Sequence, residues 1–159
     1  MRRRKINNRY LSDKIPEQIS RDSIDVEEFT EALKKFADEY LHGALEVNIT
    51  GRIAGYASIS LEMTAYMLRT ALNNARDDEV ISVSISLEEC LTLNIEYEYE
   101  AHEEAIASVI GIAKVAGFIA QRHGNSIALT SHVTDSSIVK IYAMSKEKIA
   151  NHLHEIFFL

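Results

Sequence analysis

The stretch 59-ISLEMTAYMLRTALNNA-75 decides how this chain folds. It sets Leu61, Thr64, Ala65, Leu68, Leu72 and Ala75 at three- and four-residue spacing, so one apolar stripe runs down a helix and stops at Asn73-Asn74. The acidic turn Arg76-Asp77-Asp78-Glu79 comes next. Two alternating runs follow, VISVSIS (80–86) and CLTLNIEY (90–97), and predict paired strands. Ile81, Val83 and Ile85 share the inner face of the first. The second sets Leu91, Leu93, Ile95 and Tyr97 against a wet face of Thr92, Asn94 and Glu96.

Toward the N-terminus, Val26, Phe29, Leu33, Phe36, Ala37 and Tyr40 form another helical stripe. Asp25 is placed to cap it, Glu28 sits at the capping-box position and Gly43 stops it. Residues 44–50 alternate apolar and polar, and after the turn Thr50-Gly51-Arg52 residues 54–59 predict a second short strand. Residues 1–23 are polar, hold the only proline, Pro16, and show little periodicity, which predicts an arm with at most a short helical piece. Its basic start, Arg2-Arg3-Arg4-Lys5, reads as a solvated tail.

Toward the C-terminus, residues 103–122 (EEAIASVIGIAKVAGFIAQR) are small and apolar almost all round, which predicts a helix buried against a sheet, packed through Gly111 and Gly117 and ended by Gly124. Strands at 126–133 and 137–143, around a turn at Thr134-Asp135-Ser136, lead to a last helix capped by Ser145. Its stripe is Ile149, Leu153 and Ile156. The end, Ile156-Phe157-Phe158-Leu159, is too apolar to stand in water, so it predicts burial within the chain or, as the favoured outcome, a symmetric contact with a second copy.

The length of 159 residues suits one core, divided here into an arm (1–24), a main domain (25–144) and a helical extension (145–159). A formal charge of −7 and a pI near 5.4 disfavour nucleic acid as the main partner. One cysteine, Cys90, allows no intrachain disulfide and fits a reducing cytoplasm. No apolar run reaches the ~18 residues of a membrane span, and the basic start is followed by polar residues rather than a signal core. Hairpins separated by helices predict an α+β two-layer sandwich, a mixed and mostly antiparallel sheet with helices on one face.

This order of segments, over about residues 25 to 143, resembles the ATP-binding catalytic domain of sensor histidine kinases, the fold shared with gyrase B and the Hsp90 chaperones. ISLEMTAYMLRTALNNA resembles the N-box helix with its closing Asn74-Ala75. VISVSIS and CLTLNIEY resemble the strands leading to the G1 box, IGIAKVAGFIAQRHGN the helix after the G2 box, and TDSSIVKIYAMS the last hairpin. The resemblance implies two-component signalling in a bacterial cytoplasm, ATP with Mg²⁺ as cofactor, and a response regulator or kinase as partner. It assigns Asn74 to Mg²⁺ and nucleotide. Thr70 falls where the family has Asn, His or Glu, and Ser137 falls at the Thr of the last hairpin.

The adenine-binding Asp of the G1 box falls at Tyr97, or at Glu98 with a one-residue shift, and Gly111 is the one glycine of the G2 region. Between Glu100 and Ser108 there is no room for an ATP lid, and β-branched Val109, Ile110 and Ile112 disfavour a phosphate cradle. The nucleotide site therefore reads as degenerate. Residues 1–24 contain no histidine, so no phosphoacceptor motif precedes the domain in this chain, and no catalytic residue is assigned. The reading from another class is a non-catalytic pseudokinase or adaptor that binds a signalling protein. His123 before Gly124 reads as a helix terminus, His152 and His154 lie on different helix faces, and the run Glu96, Glu98, Glu100 reads as a solvated strand face.

Overall fold

The computed structural model describes residues 21–100, 102–132 and 143–158. Its elements run β1 (Asp22–Asp25), α1 (Val26–Tyr40), β2 (Leu45–Ile49), β3 (Tyr56–Ile59), α2 (Leu61–Asn73), β4 (Ile81–Leu87), β5 (Cys90–Tyr97), α3 (Glu103–Ala116), β6 (Ile119–His123), β7 (Ser126–His132) and α4 (Lys146–Phe157). Five strands form one sheet in the order β2-β4-β5-β7-β6; β2 and β4 run parallel and the other three pairs antiparallel. The antiparallel ribbon β1-β3 stands apart.

Register carries the apolar alternation straight across the sheet. Val83 pairs with Ile95 and Ile95 with Ile127, while Ile85 pairs with Leu93 and Leu93 with Leu129, and all six are fully buried. The facing set, including Ser84, Thr92, Asn94 and Thr130, is only partly buried. Helices cover the apolar face: α2 packs on α3 and α4, and α4 also packs on α1. The molecule is thus an α+β two-layer sandwich with a mixed, mostly antiparallel sheet and its helices on one side, as the strand and helix order predicts. Among the described residues no helix is long and apolar enough to cross a membrane.

The helix of the deciding stretch is more than a stripe. Every residue of α2 from Leu61 to Leu72 except Glu62 is buried, because α3 and α4 flank it above the sheet. Ser60 caps its start by accepting from Met63 N at 3.2 Å. Asp25 does the same for α1 from Glu28 N, and Ser145 for α4 from Lys148 N. Asp25 and Ser145 are the caps the sequence indicates, and Ser60 adds a third.

Several expectations are corrected. Residues 22–25 form a strand rather than the end of an arm, and β2 and β3 form no hairpin: β2 lies along β4, and β3 pairs with β1. The chain leaves β2 alongside β4, through Thr50 N to Ile85 O (3.1 Å) and Leu87 N to Arg52 O (2.5 Å), and turns at Gly55, with φ 148°. A Cβ at Gly55 would sit 2.6 Å from Leu87 Cδ2, so the crossing requires glycine.

The helix expected to run to residue 122 ends at Ala116. Gly117 takes the left-handed conformation (φ 109°) and donates to Ala113 O and Lys114 O, and residues 119–123 become the edge strand β6. Gly124 turns the β6-β7 hairpin instead of capping a helix. Nor is α3 buried all round: Ser108 and Gly111 lie on its exposed side, and a Cβ at Gly111 would meet nothing within 4 Å. The strand expected at 137–143 lies outside the described residues apart from Ala143, which bridges Ser23.

The apolar stripe of α4 is spent inside the chain. Ile149, Leu153, Ile156 and Phe157 are buried against α1 and α2, and Phe36 of α1 stacks on Phe157 with ring centroids 5.0 Å apart. Burial within the chain, rather than the favoured symmetric contact, is the fate of these side chains.

Candidate functional site

The candidate site lies where the end of α2, the turn at residues 76–79, the end of β5 and the start of α3 meet. Alternation along β5 turns Tyr97 inward, where it is 2% exposed, and its phenol donates to Ala71 O of α2 at 3.1 Å. The ring therefore spans from sheet to helix. Burial, with the Glu79 carboxylate adding to it, holds this phenol well above its ordinary pKa.

Glu79 is the second anchor. It is 4% exposed, and its carboxylate accepts from Arg76 N at 3.0 Å and from Tyr99 N at 2.7 Å, tying the turn after α2 to the end of β5. Outside this anchor, Arg76 lies over the Tyr99 ring at 5.2 Å, and the Tyr99 hydroxyl reaches Asp78 Oδ2 at 3.4 Å. The charges of Asp78, and then of Glu98, raise the pKa of that exposed phenol.

The residues singled out from sequence fall around these anchors as follows. Asn74 is the C-cap of α2 and is exposed; its Nδ2 donates to Thr70 O at 2.9 Å. Thr70 is buried, and its Oγ1 has no hydrogen-bond partner among the described residues. Glu98 lies on the outer face and accepts from Val80 N at 2.9 Å, extending the β4-β5 pairing by one rung. Gly111 sits in the interior of α3, away from that helix's N-terminus. Ser137 lies outside the described residues. Asn74 and Thr70 are thus brought together through the backbone, while Glu98 faces away from Tyr97 and Gly111 lies along a different helix.

The start of α3 has its own electrostatics. His102 occupies the N-cap without a side-chain cap bond, and the first turn carries Glu103 and Glu104. Two carboxylates answer the partial positive charge of that helix end, so a further anion there meets repulsion. Arg122 of β6 pairs with Glu103. Among the described residues no group of three His, Cys, Asp or Glu side chains is arranged to hold a metal ion.

Two residues escape sequence reasoning. Glu79 sits in an acidic turn, and only the register that brings Tyr99 N to it reveals the anchor. Arg69, on the α2 stripe's flank, is fully buried, stacks on Tyr66 at 4.6 Å and donates to Ile156 O at 2.9 Å; its Nε and Nη2 have no hydrogen-bond partner among the described residues. The signal for it was the apolar character of α2 on every side, since Met63, Tyr66 and Met67 lie off the stripe.

No known family matches the chain, and no curated protein does. Among solved structures the chain is similar to the histidine kinase AdeS of Acinetobacter baumannii, with 15% identity, 74% of this chain and 70% of that one covered, and a TM-score of 0.48. It is also similar to the catalytic domain of histidine kinase ThkA (6% identity, 74% and 100% covered, TM-score 0.47). A third is the cytoplasmic segment of histidine kinase QseC (15% identity, 79% and 87% covered, TM-score 0.46).

Proposed function

We propose that this chain is a histidine kinase ATPase-like domain of two-component signalling in which nucleotide binding is lost, and that it acts as a pseudokinase or adaptor by binding a signalling protein. The observation that carries the reading is Tyr97. At the position the resemblance gives to the adenine-binding Asp stands a buried aromatic ring whose hydroxyl is bonded to the α2 backbone, so the volume an adenine needs is filled by the protein itself.

Three further features support the loss. Glu103 and Glu104 oppose phosphate at the start of α3, Gly111 lies inside that helix rather than in a loop, and the five residues between β5 and α3 are too few for a lid. ATP with Mg²⁺ at Asn74 is the cofactor of the ancestral reading. Asn74 keeps a side chain suited to that ion, but its neighbour Thr70 is buried where a second polar ligand is needed. The partner this reading implies is a response regulator or a kinase, met in the cytoplasm.

Calorimetric titration with ATP or ADP, with and without Mg²⁺, tests it. The expected Kd lies above roughly 1 mM, less than about 4 kcal/mol of binding free energy. Micromolar binding that Asn74→Ala abolishes would restore an ATP-dependent enzyme and overturn the proposal.

A further inference from the structure

Between α1 and α4 lies a groove of about 670 Å³, floored by Phe36, Tyr40, Ala150 and His154 and rimmed by Lys35, Glu39, Lys146 and Glu147. Its far end is aromatic. Tyr40 and His154 meet edge to face at 5.2 Å, and Phe158 packs on Tyr40 at 5.7 Å, leaving Tyr40 41% exposed.

The two helices run nearly parallel. Lys146 at the start of α4 pairs with Glu31 at 2.8 Å, whereas Phe36 meets Phe157 and Tyr40 meets Phe158 at the other end. Both C-termini, with their partial negative charge, therefore lie together at the aromatic end. α1 has no basic residue in its last turn and carries Asp38 and Glu39 there, and α4 adds His154 and Glu155; with Lys35 lying 4.0 Å from Glu39, the acidic side chains still outnumber the basic ones at this end.

The same chain holds a complementary segment. Residues 1–20 contain six Lys or Arg against two Asp or Glu, a charge of +4, which leaves −11 on the rest of a chain whose total is −7. The described chain starts at Arg21, which with Asp22 and Ser23 borders Ser145 and Lys148 in the first turn of α4. Going back from there, Ile15 comes first, Tyr10-Leu11 next and Arg2-Arg3-Arg4-Lys5 last. The groove offers its features in the same order: an opening beside the first turn of α4, an apolar floor, and a negative far end.

Reach permits the match. From Lys146 to His154 the groove follows roughly 12 Å of helix, and passing around one helix adds about 10 Å. An extended chain covers that in seven or eight residues at about 3.3 Å each, so Tyr10-Leu11, eleven and ten residues before Arg21, reach the aromatic floor with slack.

We infer that the groove between α1 and α4 is the docking site of the chain's own residues 1–20, with Tyr10 and Leu11 on the aromatic floor and Arg2–Lys5 at the joint C-terminal ends of α1 and α4. A nitroxide at Ser12→Cys, in full-length protein carrying Cys90→Ser, tests this through paramagnetic broadening of backbone amide signals. At low salt the amides of Phe36, Ala150 and His154 are expected to lose more than half their intensity. The loss is expected to fall in 0.5 M NaCl, because the charge match is screened, and to vanish in Tyr10→Ser/Leu11→Ser. Unaffected groove amides, or broadening centred elsewhere, would overturn the inference. So would broadening that persists when the nitroxide and the isotope label are on different molecules, since a second copy would then be the occupant.

Discussion

Tyr97 and Glu79 tie the end of β5 to α2 and to the turn that follows it, and each makes a measurable prediction. The Tyr97 phenol is neutral and hydrogen-bonded to Ala71 O in the folded chain. Its folded pKa is raised above the ordinary 10.0, so the protection is complete below pH 10. As pH rises past 10 the unfolded chain releases this proton while the folded chain keeps it, and stability falls. Tyr97→Phe is expected to cost about 1 kcal/mol at pH 7, one hydrogen bond, and to make the decline above pH 10 shallower, as read by urea unfolding at pH 7 and 10.5. An equally steep alkaline decline in the variant would remove Tyr97 from the account. Glu79→Ala leaves the partly buried Arg76 and Tyr99 N–H groups without this acceptor and is expected to cost about 1–3 kcal/mol, with Glu79→Gln costing less because an amide oxygen still accepts.

At the scale of elements, α4 decides the stability of the helical layer. Leu153 is fully buried, and Leu153→Ala is expected to cost about 2–5 kcal/mol with no change of mass in light scattering, since the stripe is spent inside the chain. Removing everything after Ser145 strips four buried side chains, on the order of 6–12 kcal/mol at about 1.5–3 each, which rivals the total stability of a domain. The truncated protein is expected to be unfolded in circular dichroism.

What could be read from sequence at this scale was local: the caps Asp25 and Ser145, the stripe of α1, and the inward faces of β4 and β5. Pairings between distant segments were hidden. Whether β2 turns back on β3 or lies along β4 depends on the close pass of Gly55 under Leu87, which no spacing encodes, and the end of α3 depends on which of Gly117 and Gly124 adopts the left-handed cap. Of the residues singled out from sequence, Asn74 and Thr70 lie together at the end of α2. What occupies the site, a tyrosine reaching across to Ala71 and a buried glutamate, follows from register alone.

At the scale of the molecule, the apolar face of the sheet is covered by the chain's own helices. Ligand binding to the folded state alone stabilises it by RT ln(1 + [L]/Kd), so unfolding reads affinity without a label. The most direct measurement is therefore urea unfolding at pH 7 with and without 5 mM ATP and Mg²⁺. A Kd above about 1 mM predicts a gain below about 1 kcal/mol, the same in wild type and Asn74→Ala. A gain of about 3.5 kcal/mol or more, the signature of a Kd near 10 μM, that disappears in Asn74→Ala would contradict the account.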